Sequence, residues 1–158
     1  YSQSKIITPP NYLFWNASTK VNFGGAISFE KKLYDLSKFF TVNHGLSLSH
    51  WSSQTINKGL SILSVYFSAY FYFLNFLQKS FYLYCSIGGP SWMSKNTFKK
   101  TGFSNRFVFQ NQLGFGFHLG REKMYNLGFK FLHYSNGDLF PINGGFDVPI
   151  AISLGFNI

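Results

Sequence analysis

Four segments of this chain alternate apolar and polar residues with a period of two over ten or more positions. In one, Leu63, Val65, Phe67, Ala69, Phe71 and Phe73 share a face, opposed by Ser64, Tyr66, Ser68, Tyr70 and Tyr72. In another, Phe107, Phe109, Asn111, Leu113, Phe115, Phe117 and Leu119 oppose Val108, Gln110, Gln112, Gly114, Gly116 and His118. Val21, Phe23, Ile27 and Phe29 form a third stripe, and Val148, Ile150, Ile152, Leu154, Phe156 and Ile158 a fourth. Successive side chains of a β-strand point to opposite faces, so this period means strands. Their length exceeds the about 5–6 residues usual in a soluble sheet and is enough to cross a bilayer at a tilt.

Composition decides which face is the interior. Charged residues are only 12% of the 158, against about 25% in a typical soluble domain. Aromatic residues reach 22%, with 21 Phe and 10 Tyr, which excludes intrinsic disorder. The faces opposite the Phe stripes carry Ser, Gly, Asn, Gln and Tyr, with Lys130 their one charge. That material suits the lumen of a narrow barrel, and the Phe/Leu/Ile face suits lipid. A soluble lipocalin-type barrel would need the reverse arrangement. No run of 18 apolar residues predicts a transmembrane helix. No signal peptide is recognisable after Tyr1, as expected of a chain whose leader has been removed.

The pattern predicts an all-β fold, an eight-stranded antiparallel transmembrane β-barrel forming one domain over 1–158, with 1–11 an irregular N-terminal segment. The strands fall at 12–18, 21–30, 40–51, 60–74, 80–92, 105–119, 124–135 and 147–158. Connections at 52–59, 93–104 and 136–146 read as long, those at 75–79 and 120–123 as short, and 31–39 as intermediate. Long loops on one side are the habit of outer-membrane barrels. Net charge is +9. No recognition motif supports nucleic-acid binding. Lys95, Lys99 and Lys100 form either a solvated loop cluster or a contact for anionic lipid phosphates. The single cysteine, Cys85, excludes an intrachain disulfide and a thiolate metal cage.

One strand ends in a pattern with chemical content. Tyr125, Leu127, Phe129, Phe131, His133 and Ser135 share its outward face, so an apolar stripe closes on an imidazole and a hydroxyl side by side. Polar groups taken from water without partners are costly, so the pair calls for an explanation. Asn136 and Gly137 follow at once and offer an amide and a permissive backbone as oxyanion donors. The five acids are Glu30, Asp35, Glu122, Asp138 and Asp147. Asp147 lies where the last strand returns. With Ser135 paired opposite it, Asp147 would be diagonal to His133. Asp138 is the rival. Strict alternation puts Asp147 on the lumen side, so an outward Asp147 requires a one-residue bulge near 147–149, where Pro149 fits. His118 reads as a lumen filler, and His44 and His50 sit beside Asn43, Ser47 and Ser49 with no metal-ligand spacing. No zinc, phosphate-loop or dinucleotide motif is present.

The segments Phe109-Gln-Asn-Gln-Leu-Gly-Phe-Gly, Phe131-Leu-His-Tyr-Ser-Asn-Gly137 and Pro141-Ile-Asn-Gly-Gly-Phe-Asp147 resemble the lipid A 3-O-deacylases of Gram-negative outer membranes, the PagL family. The resemblance implies a barrel in the bacterial outer membrane that removes the 3-O-linked acyl chain of lipid A in lipopolysaccharide. It implies Ser135 as nucleophile, His133 as base and Asp147 in place of the family's Glu, one methylene shorter. Asn136 takes the place of an oxyanion-hole Asn. Asn111 stands where the family can have an Asp that contacts the acyl-chain hydroxyl. Phe129, Phe131, Leu113 and Phe115 line the acyl groove in this reading. No cofactor or metal is implied. The expected partners are lipid A and membrane lipid, and the expected state is a monomer or weak homodimer. Outer-membrane phospholipase A is similar at the His-x-Ser-Asn-Gly level. A phospholipase and a non-catalytic structural or adhesion barrel are the competing readings.

Overall fold

The computed structural model of the protein describes residues 19–20, 23–53, 56–76, 79–98, 101–102, 105–120, 123–142 and 144–156. Seven long strands dominate. They are β2 (Phe23–Ser37), β3 (Phe40–Ser53), β4 (Ile56–Phe76), β5 (Lys79–Met93), β8 (Phe107–Leu119), β9 (Tyr125–Ser135) and β10 (Phe146–Phe156). β1 (Thr19–Lys20) adds a two-residue parallel contact to β10. β6 (Thr97–Phe98) and β7 (Thr101–Gly102) form a small hairpin in the connection between β5 and β8. The main sheet runs β1-β10-β9-β8-β5-β4-β3-β2, and every pairing between long strands is antiparallel. The strand expected at 12–18 lies outside the described residues.

Side-chain alternation settles the faces as the composition implies. Ser64, Tyr66, Ser68, Tyr70 and Tyr72 of β4 are buried, whereas Leu63, Val65, Phe67, Phe71 and Phe73 are exposed. In β8, Val108, Gln110, Gln112 and His118 are buried, with Leu113 and Phe115 exposed. The sheet therefore turns its Ser/Gln/Tyr face inward and its Phe/Leu face outward.

The interior shows that the sheet is rolled. Lys130 of β9 lies 3.7 Å from Glu30 of β2, five strand positions away in the sheet. In a flat sheet five inter-strand spacings amount to about 24 Å. Glu30 also accepts hydrogen bonds from Tyr70 Oη at 2.8 Å, Tyr66 Oη at 3.0 Å, Ser68 Oγ at 3.1 Å, Tyr84 Oη at 3.3 Å and Asn43 Nδ2 at 3.4 Å. The Lys130 ammonium also sits 4.0 Å from the centroid of the Tyr84 ring. A second inner layer is apolar and comprises Trp51, Leu60, Ile62, Met93, Val108, Leu132, Tyr134, Phe146 and Val148. It packs beneath the end of β9 that carries His133 and Ser135.

Three expectations change. β2 runs on past Glu30 to Ser37, so the 31–39 connection contracts to the turn at Lys38 and Phe39. The outward residues there are still paired in the ladder with β3, for example Tyr34 with Val42, although the alternation weakens. The 52–59 loop contracts likewise, because β3 continues to Ser53, which pairs with Ile56. Polar residues in a strand that projects beyond the apolar belt leave no period to read. Val148, expected on the outward stripe, is buried in the inner apolar layer.

Removing the Glu30 carboxylate would strand Lys130 and five donors inside the sheet. Glu30→Ala is expected to destabilise the fold by about 3–5 kcal/mol, the cost of breaking a buried ion pair on one side. Denaturant titration of the detergent-solubilised protein, followed by the gel shift between folded and heated forms, measures it.

Candidate active site

The site forms where β9 meets β10. Tyr134 and Phe146 are register partners whose rings stack inside, 4.7 Å between centroids. Tyr134 Oη is held by Gln110 Nε2 at 2.6 Å and by Trp51 Nε1 at 3.4 Å. With Tyr134 and Phe146 pointing inward, the adjacent His133 and Asp147 point outward. They face each other directly in the register, and His133 Nδ1 lies 2.7 Å from Asp147 Oδ1. The expected diagonal arrangement, with Ser135 opposite Asp147, is thus corrected by two residues. Direct pairing brings Cβ atoms to about 4.5–5.5 Å, which suits the shorter acid.

A bulge makes this possible. Val148 pairs with Leu132, but the next pair is Ala151 with Lys130, so β10 carries one extra residue between them. Val148 and Ala151 both face inward, and Pro149 and Ile150 are both exposed. The extra residue lets Asp147 and the downstream Ile152 and Leu154 share the outward side. His133 and Asp147 side chains are nonetheless well covered, at 13% and 4% exposure.

Ser135 ends β9 on the same face as His133, with Phe109 as its partner on β8. Beyond it the chain turns at Asn136-Gly137-Asp138-Leu139. Gly137 and Asp138 have φ of 63° and 59°, and Leu139 N–H donates to Asn136 O at 3.2 Å. Positive φ at both central residues marks a type I′ turn, which favours Gly, Asn and Asp there. Asn136 Oδ1 accepts the Asp138 N–H at 2.9 Å, and Asn136 Nδ2 donates to Ile142 O at 2.9 Å and Phe140 O at 3.3 Å. Both Nδ2 contacts tie the Asn136 amide, expected as an oxyanion donor, to the backbone at Phe140 and Ile142. Gly137 packs over the Phe109 ring, beside Ser135.

Asn111 lies opposite His133 on β8, and its Oδ1 accepts the Gly88 N–H at 2.8 Å. Gly88 has φ of 69° and sits in a second one-residue bulge, between Ser86 and Gly89 of β5. Sequence reasoning missed this link, although Gly88-Gly89-Pro90 inside a strand is a bulge signal. The four expected groove residues lie on the outward face beside the site. Leu113 pairs with Phe131, and Phe115 with Phe129, the latter rings 5.5 Å apart. Lys95 follows β5, and Lys99 and Lys100 lie outside the described residues. Among the described residues no group of three or more His, Cys, Asp or Glu side chains could hold a metal ion.

The site is thus an outward His-acid pair beside a serine on a rolled antiparallel sheet. The family model described as lipid A 3-O-deacylase (PagL) matches residues 25–157. The chain belongs to that family. Among solved structures, it is similar to one described as the crystal structure of the outer membrane enzyme PagL, at 18% identity and a TM-score of 0.67. That likeness covers 84% of this chain and 87% of the other, and it concerns the fold. No curated protein sequence matches the chain.

Asn136→Ala would leave the Phe140 and Ile142 carbonyls and the Asp138 N–H without their partner. The expected cost is about 1–3 kcal/mol, localised to the loop. Faster proteolytic cleavage between Asn136 and Gly145, with the strands still protected, is the readout.

Proposed function

We propose that this protein is an outer-membrane serine esterase that hydrolyses the 3-O-linked acyl chain of lipid A in lipopolysaccharide. The observation that carries the proposal is the 2.7 Å contact between His133 Nδ1 and Asp147 Oδ1, on the outward face and beside Ser135. Family membership supports the substrate class. In this reading the sheet closes as an eight-stranded transmembrane barrel, and its apolar exterior meets lipid.

Asp147 accepts the Nδ1–H of His133, which leaves the Nε2 lone pair free to take a proton. As Ser135 Oγ attacks the ester carbonyl, its proton passes to Nε2. Asp147 stabilises the imidazolium that forms. The Gly137 backbone N–H receives the developing oxyanion, and Asn136 acts by holding the turn that presents it. His133 then protonates the sugar alkoxide as the C–O bond breaks. A water molecule, deprotonated by His133, releases the fatty acid from Ser135. The acyl chain lies along Leu113, Phe115, Phe129 and Phe131, with Asn111 beside its polar end. Lys95, Lys99 and Lys100 contact the phosphates of the headgroup. No metal or cofactor takes part, and the protein acts as a monomer or weak homodimer.

Purified protein incubated with lipopolysaccharide is expected to release one hydroxyacyl chain from lipid A, read by mass spectrometry of the products. Ser135→Ala abolishes release, and Asp147→Asn lowers kcat on the order of 10⁴-fold by losing the tautomer lock. Lysophospholipid formed from added phospholipid, with lipid A intact, would instead make it a phospholipase. Absence of any product from correctly folded protein would make it a non-catalytic barrel.

A further inference from the structure

On the outward face, side-chain rows can be followed from strand to strand through the register. Ile27, Leu48, Leu63, Trp92 and Phe107 are successive partners across β2, β3, β4, β5 and β8. The first four are 69%, 58%, 49% and 55% exposed. One row further toward the β3–β4 tip the chemistry changes completely. Gly25, His50 and Ser61 are partners there, and Ser94 extends the row by donating its N–H to Ser61 O at 2.8 Å. A continuous apolar row thus borders a continuous polar one, as a surface must where hydrocarbon gives way to headgroups.

The polar row is built rather than incidental. His50 Nδ1 lies 2.9 Å from Ser61 Oγ. The ring leans over Gly59, where any Cβ would collide with its Nε2 edge. On the other side, Gly25 borders open space, and a Cβ added there would meet nothing within 4 Å. Ser94 Oγ accepts the Ser61 N–H at 3.1 Å, so its own hydrogen remains to donate outward. If His50 Nδ1–H donates to Ser61 Oγ, the Ser61 hydroxyl hydrogen is left for a ligand; if Ser61 donates to Nδ1, the His50 Nε2–H is left instead, so the pair keeps one donor in either tautomer.

We infer that the His50–Ser61–Ser94 row is a ledge that binds the phosphate-bearing headgroup of an outer-leaflet lipid, at a site separate from His133 and Ser135. The inference rests on the proposed membrane setting. The adjoining Leu48, Leu63 and Trp92 offer the surface along which acyl chains lie, so the occupant is an amphiphile and not free phosphate. Donors from Ser94 and from the His50–Ser61 pair, set on one level, suit the acceptor oxygens of a phosphate head. In the sheet, β3 and β4 are separated from β9 by β5 and β8, so the ledge and the site can be filled at once.

The test counts lipids retained by the full protein in native mass spectrometry, in a Ser135→Ala background that does not consume them. Phosphorylated and dephosphorylated lipid A are the probes. His50→Ala with Ser61→Ala is expected to lose one bound phosphorylated lipid per protein, with no change for the dephosphorylated form. Gly25→Leu, which fills open space and breaks no hydrogen bond, is expected to lose the same lipid. With Ser135 restored, both variants are expected to keep hydrolysis of a micellar ester within twofold. An unchanged count in both variants, or equal retention of dephosphorylated lipid, overturns the ledge and leaves the esterase reading standing. A parent protein that retains no lipid at all overturns the membrane setting together with the ledge.

Discussion

The curvature of this sheet depends on a carboxylate that has nowhere else to go. Glu30 lies inside, and five donors from β3, β4 and β5 converge on it while Lys130 reaches across from β9. A charge taken from water is tolerated only when paired and hydrogen-bonded. Satisfying it therefore draws strands that are distant in the sheet toward one point. The Ser/Gln/Tyr face can then be buried while Phe and Leu remain outside, the reverse of a water-soluble core.

That inside-out order is also what gives the candidate site its character. His133 and Asp147 stand on the side that carries the Phe and Leu stripes, yet they are nearly covered. The imidazole and carboxylate satisfy each other there. Behind them, the Tyr134–Phe146 stack and the Gln110 and Trp51 contacts to Tyr134 hold the two backbones in register. The short side chain of Asp147 demands a close backbone, and the direct pairing of residues 133 and 147 supplies it.

Most of the architecture was legible because burial imposes a period of two. The faces of β4, β8 and β9 follow from Leu63–Phe73, Phe107–Leu119 and Tyr125–Ser135 read alternately. The far end of β2 was not, since the stretch from Lys31 to Ser37 is exposed on both faces and has no buried side to mark it. The site was legible in part. His133 and Ser135 were placed by parity, and the need for a bulge was visible from Asp147 against Val148. The register across the hairpin was not, because the long connection between Ser135 and Phe146 leaves the pairing free by several positions. The commitment of the Asn136 amide to Phe140 and Ile142 depends on a loop conformation that no periodicity records. Lys130 was visible as an inward residue, but Glu30 was not assigned to a face, and nothing local announces that the two meet.

The single surplus residue in β10 acts as a parity switch. Upstream of it, odd-numbered Asp147 faces out; downstream, the even-numbered Ile152 and Leu154 do. Losing one residue at Pro149 or Ile150 would force a choice between the two halves. Either the acid turns to the inner face of the sheet, or Ile152 and Leu154 do. Substitutions along this strand can be absorbed one at a time, but its length cannot drift by one. Insertions and deletions are therefore tolerable only in the connections, and the reading frame of the last strand is inherited as a unit.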